Sequence, residues 1–116
     1  MNSRTHPFGL LAFLHWNHEW NKWHFRDDVL HKALQQLQGL GVGFVRIDVL
    51  WSDVHRGLYQ YDFSRYDQLI ETVKKHGLEI LAILHYNKVS QKDGQELWNR
   101  PPESFEEFAK YVGACV

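Results

Sequence analysis

The stretch VGFVRIDVLW, residues 42–51, decides the fold. Its run of Val, Ile and Phe is a strand signature. Period-two alternation sets Phe44, Arg46 and Asp48 on one face and Val45, Ile47 and Val49 on the other. In a sheet covered by helices the aliphatic face meets the helices, so Arg46 and Asp48 face the opposite layer. Burying both charges under a second helix layer is costly. The interior of a closed barrel accommodates them more readily, because it opens onto a site at the carboxyl ends of its strands. A simple Arg46–Asp48 ion pair is the plainer alternative, and the two readings are compatible.

The pattern repeats on either side. Upstream, FGLLAFLHW (8–16) is a short continuous apolar run, as expected of a strand covered on both faces. After a polar, aromatic loop, Asp27 or Asp28 can cap a helix whose apolar residues are Leu30, Ala33, Leu34 and Leu37, stopped by Gly39 and Gly41. Downstream, SDVHRGLYQYDF reads as a loop and SRYDQLIETVKKHG as a helix. Ser64 is its N-cap, Tyr66, Leu69, Ile70 and Val73 form its buried stripe, and Lys74, Lys75 and Gly77 mark its end. A third strand, LEILAILHYN (78–87), leads through a loop (88–100) into PPESFEEFAKYVG. This last segment is expected to be a helix entered at proline, with Phe105, Phe108, Ala109 and Val112 inside. The expected class is α/β, with parallel strands and right-handed crossovers. One partial domain, 1–116, would comprise three strand-and-helix units of roughly 8–41, 42–77 and 78–116.

Composition limits the function. Of 116 residues, 44% are apolar and 23% charged, the balance of a soluble globular chain. A formal net charge of -1 leaves no footprint for nucleic acid or an anionic membrane. Cys115, the single cysteine, makes no internal disulfide. The segment FGLLAFL is too short to span a bilayer, and no small-residue cleavage site follows it, so a cytoplasmic location is expected.

The unusual residues gather on one side. Trp16, Trp20, Trp23, Trp51 and Trp98 all fall at a strand end or in the loop after it, as do His15, His18, His24, His55 and His85. His6, His31 and His76 do not. Loops at the carboxyl ends of strands are where α/β proteins build their sites. On the third strand, His85 and Asn87 share a face and point where Arg46 points if the register is parallel. The candidate site residues are therefore Arg46, His85, Asn87, Trp51 and Trp98, with His15, Asn17 and Trp20 from the first loop. Some of these rings can equally pack beneath loops.

At this point the residues resemble a known group. From 40 to 116 the chain is similar to clan A glycoside hydrolases, the retaining (β/α)8-barrel glycosidases of the cellulase and β-glycosidase kind. The matching features are GV-x-FVRID-x-x-W on the second strand, G-x-Y-x-YDFS-x-YD before the second helix, HGLEILAIL into the third strand, and PPESFEEFAKYV for the third helix. The first unit matches more loosely.

The resemblance implies the first three units of a TIM barrel and hydrolysis of O-glycosidic bonds in a β-linked oligo- or polysaccharide. No cofactor or metal is implied. Arg46 matches the arginine beside the family's nucleophile, and His85 stands at a substrate-contacting position of the third strand. Trp51 and Trp98 match positions of rings that line the sugar cleft. The segment SDVHRG departs from a frequent glutamate-proline.

Retaining hydrolysis needs two carboxyl groups about 5 Å apart. The family's pair comes from its fourth and seventh strands, and a full barrel takes about 250 residues. No Asn-Glu dipeptide occurs here, so both catalytic glutamates are expected beyond Val116 and the chain alone is expected to be inactive.

Other readings are available. A zinc-dependent barrel hydrolase would use His15, His18, Glu19 and His24, but His-x-x-His is neither the strand-end His-x-His nor the helical His-Glu-x-x-His arrangement. Nothing in the spacing of Asp48, Asp53 and Glu19 favours a new acid/base pair. A non-catalytic carbohydrate-binding or self-assembling half-barrel is a third reading. Three parallel strands leave two open edges, so self-association or marginal stability is expected of the isolated chain.

Overall fold

The computed structural model describes residues 8–12, 14, 27–89 and 91–116. Along the chain the elements are β1 (Gly9–Leu11), α1 (Asp27–Gly39), β2 (Phe44–Leu50), α2 (Trp51–Val54), β3 (His55–Gly57) and β4 (Gln60–Tyr61). There follow α3 (Ser64–Lys75), β5 (Glu79–His85), β6 (Gln91–Lys92), β7 (Gln95–Glu96) and α4 (Phe105–Cys115). The main sheet has the strand order β1-β2-β5, and two hairpins, β3-β4 and β6-β7, stand outside it. The protein is α/β, with a parallel sheet accompanied by helices.

The described residues of 1–47 and 65–82 form one compact unit, and those of 48–64 and 83–116 a second. In the first, β1 runs parallel to β2 with Gly9 opposite Phe44 and Leu11 opposite Arg46. A Cβ at Gly9 would run into the Phe44 ring, so any larger residue at this cross-strand position would have to push that ring aside. Glu79 N–H donates to the Gly43 carbonyl at 3.0 Å, tying the start of β5 to the approach of β2. The core holds Leu14, Leu30, Leu34, Val45, Ile47, Tyr66, Leu69, Val73 and Leu78. Each fully buried Leu or Val side chain stabilises the fold by about 1.5–3 kcal/mol relative to exposure. The aliphatic face expected of β2 and the stripes expected of α1 and α3 are therefore the buried ones. The chain leaves α3 at Gly77, whose φ of 73° suits a residue without Cβ. There the N–H groups of His76 and Gly77 donate to Val73 and Lys74.

Four local expectations are corrected. Of the expected run 8–16, with Leu14 fully buried and 13, 15 and 16 outside the described residues, the strand is β1, Gly9–Leu11. It is an end strand of the sheet, so Leu10 and Leu11 are exposed rather than covered on both faces. The segment after β2 is a single helical turn and a hairpin instead of a plain loop. Ser64 is the first residue of α3, and the side-chain acceptor there is Asp62. Its Oδ1 accepts the Ser64 N–H at 3.0 Å and the Ser64 hydroxyl at 2.6 Å.

The fourth correction concerns α4, in the second unit. Its N-cap is Ser104, whose Oγ accepts the Glu107 N–H at 3.2 Å, and Pro101 and Pro102 precede the cap. The buried residues are Glu107 and Tyr111, while Phe105 is 75% exposed and Ala109 is exposed. Two polar anchors set this rotation. The Tyr111 hydroxyl donates to the Val49 carbonyl at 2.7 Å. Lys88 Nζ donates to both Glu107 carboxylate oxygens, at 2.9 and 2.7 Å.

Among the described residues, no helix is long and apolar enough to cross a membrane.

Candidate functional site

In the second unit, the last residues of β2 and β5 bring two side chains together. Asp48, the fifth residue of β2, is only 4% exposed, and its Oδ1 lies 3.2 Å from His85 Nε2. A carboxylate so far from water needs such a partner, since an uncompensated buried charge is expensive. Beyond β5 the chain takes an unusual path. Tyr86 has a φ of 70°, a left-handed conformation that non-glycine residues adopt infrequently and that concentrates at functional positions.

This turn places the Tyr86 ring beside His85, with centroids 3.7 Å apart, and edge-on to Trp98 at 5.0 Å. The next residue, Asn87, fixes the returning chain. Its N–H donates to the Trp98 carbonyl at 3.1 Å, and its Nδ2 reaches the carbonyls of Arg100 and Pro101 at 3.4 and 3.5 Å. Trp98 is 38% exposed, and its indole N–H donates to Glu96 at 3.3 Å. The hairpin β6-β7 that brings Glu96 back turns at Asp93-Gly94, both with positive φ as the tight hairpin turn demands.

The arrangement combines a partly exposed aromatic pair, a carboxylate with an imidazole neighbour, and donors and acceptors from a side-chain amide. Chemically it can stack an apolar ring face and exchange hydrogen bonds with hydroxyl groups.

Trp51 has a different place. At 1% exposure it stacks on Tyr111 at 5.4 Å and 15°, and meets Phe108 and His55 edge-on. Such a ring packs the unit and presents no face to solvent, which corrects the expectation that it lines a cleft. The cause is α2, which turns the chain inward directly after β2. Burial pushes the Tyr111 phenol far above its ordinary range. It also raises Tyr61, with the negative field of Glu107 adding to the effect.

The remaining candidates are Arg46 and three residues of the first loop. Arg46, on β2 in the first unit, is half-buried with its Nε out of reach of solvent. His15, Asn17 and Trp20 lie outside the described residues, as do His18, Glu19 and His24 of the zinc alternative. Among the described residues, no group of three or more His, Cys, Asp and Glu side chains could hold a metal ion.

The sequence reading weighs Asp48 as a partner of Arg46 and as a member of an unfavoured acid/base pair, and it passes over Tyr86 and Glu96. The left-handed turn at Tyr86 has no residue signature, whereas Asp93-Gly94 did carry a turn signal. Its flanks, Gln-Lys and Gln-Glu, lack the apolar alternation that would have marked strands.

The model of glycosyl hydrolase family 14 matches residues 14–104. The chain belongs to glycosyl hydrolase family 14. It is 39% identical over 66 residues to a β-amylase of Medicago sativa, covering 55% of this chain and 13% of that relative. Its likeness to a β-amylase of Trifolium repens is 36% over 66 residues, with 55% and 13% covered. The chain thus spans about an eighth of the length of these relatives.

Among solved structures it resembles the exo-β-1,4-mannosidase Op5Man5 from Opitutaceae bacterium strain TAV5. The TM-score is 0.59 at 22% identity, covering 84% of this chain and 17% of that one. This second likeness concerns the fold, that of a TIM-barrel glycosidase. The resemblance to glycoside hydrolases read from the sequence is thus shown at the level of the family. The family is 14, however, and not the cellulase or β-glycosidase kind.

Proposed function

We propose that the chain is the amino-terminal three-unit segment of a (β/α)8 glycoside hydrolase and supplies one sugar-binding wall. Its substrate in the whole protein is an oligo- or polysaccharide cleaved at an O-glycosidic bond. The observation that carries this reading is the grouping of Asp48, His85, Tyr86, Asn87 and Trp98 at and just beyond the strand ends. In use, Trp98 and Tyr86 stack on the apolar face of a sugar ring, while Asp48, His85 and Asn87 engage its hydroxyls. Arg46 supports the charge of a catalytic carboxylate. The catalytic carboxyl pair comes from the rest of the protein, and the segment alone is inactive.

The amylase named by the sequence relatives favours a starch-type glucan, while the β-linked substrate implied by the motifs is the competing choice. Hydrolysis of maltooligosaccharides, cellooligosaccharides and β-1,4-mannan by the whole protein separates them. The anomer released, followed by NMR, distinguishes retention from inversion, which the spacing of the carboxyl pair dictates. In the whole protein, Trp98→Ala should raise KM for the preferred oligosaccharide with little effect on folding. Turnover by the 116-residue chain alone, or no glycosidase activity in the whole protein, would refute this proposal.

Exposed Leu10, Leu11 and Leu81 on the two end strands favour a second reading, a self-associating half-barrel. A monodisperse monomer by light scattering, unfolding cooperatively in denaturant, rules it out.

A further inference from the structure

We propose that His31 and His76 form a transition-metal clamp between α1 and the end of α3, within the first unit. The two imidazole rings lie 5.4 Å apart, centre to centre, tilted by 46°. His76 Nδ1 is 2.9 Å from the Thr72 carbonyl oxygen. That oxygen only accepts, so Nδ1 carries the hydrogen, and in the neutral ring Nε2 holds the lone pair. A backbone carbonyl holding the second nitrogen is the arrangement that fixes the tautomer of metal-ligating histidines and raises their basicity. His31 is exposed on α1 and can turn its own lone pair toward the same point.

The spacing suits one shared ion. With metal–nitrogen bonds of about 2.1 Å, an ion sits about 3.2 Å from each ring centre, so this separation subtends about 115°, near tetrahedral. Among the described residues no third His, Cys, Asp or Glu completes the set, so water fills the remaining positions. Asp27, one helical turn before His31, adds negative charge on the same face of α1. The ligand class is a borderline divalent ion that favours imidazole, Cu2+ above Zn2+. Because His31 lies on α1 and His76 directly follows α3, the ion would tie the two segments together and bind the folded unit preferentially.

The test is calorimetric titration of the EDTA-treated 116-residue chain with Zn2+ and with Cu2+. Background binding by the histidines of HWNHEWNKWH is removed by the triple variant His15→Asn, His18→Asn, His24→Asn, which should retain one equivalent. In that background, His31→Asn or His76→Asn should weaken the equivalent by about tenfold or more, and His31→Cys should restore Zn2+ binding. If His76→Asn perturbs the fold, the exposed His31 pair of variants decides the matter. Overturning results are an equivalent that survives His31→Asn, one already absent from the triple variant, or no rescue by His31→Cys.

Discussion

Trp51 and Trp98 both follow a strand in the sequence pattern, yet one is 1% exposed and the other 38%. The difference lies in what each segment does after its strand. Trp51 opens a one-turn helix that folds the ring onto Tyr111 and Phe108. Trp98 arrives only after the β6-β7 hairpin and, among the described residues, meets Tyr86 at its edge. A tryptophan at a strand end is therefore not yet a sugar platform. The length and course of the following segment decide whether it packs or presents.

The comparison breaks most visibly at Trp51. Trp51→Ala removes a fully buried ring and should cost about 3–5 kcal/mol by denaturant unfolding. A cost below about 1 kcal/mol would mean that the ring is not the packing centre of its unit. Next comes the ion pair that fixes the helix over it. Lys88→Met leaves the buried Glu107 carboxylate without its partner and should cost about 3 kcal/mol. The double variant Lys88→Met, Glu107→Leu should recover much of that loss, since no unpaired charge then remains. Tyr111→Phe, which deletes only the hydroxyl bonded to the Val49 carbonyl, should cost about 1–2 kcal/mol. Trp98→Ala should shift unfolding by no more than about 0.5 kcal/mol, as a surface substitution does. These four values order the two tryptophan neighbourhoods on one scale.

Much of this was legible beforehand, and the particulars show why. The aliphatic face of β2 and the stripes Leu30/Leu34 and Tyr66/Leu69/Val73 follow from periodicity, because burial selects residues at helical or strand spacing. The rotation of α4 was not legible. Phe105 and Ala109 fit an apolar stripe as well as Phe108 and Tyr111 do, and the choice is made by polar anchors 19 and 62 residues away in the chain. The His85–Asp48 approach was hidden for a similar reason. Alternation put each residue on a face, but which residues meet depends on the pairing register between strands. Hairpins built from polar residues such as Gln91–Glu96 escape any reading based on hydrophobic pattern.

The smallest expected effect lies at Asp62, close in sequence to the Trp51 turn. Its carboxylate accepts two hydrogen bonds from Ser64, with Arg56 at 4.0 Å, and these hold its pKa below the ordinary 3.8. A depressed folded-state value means that the charged form is favoured in the native state. Its stabilisation is present above the unfolded-state pKa and is lost as pH falls through the folded one. Asp62→Asn should therefore lower stability slightly at neutral pH, and the gap from the parent chain should close as pH drops below about 4. Urea unfolding of both chains from pH 7 to pH 3 measures it. A gap independent of pH would assign the effect to the shape of the turn rather than to the charge. Trp51→Ala removes an apolar ring rather than a carboxylate, so its cost should show no such closure over the same range.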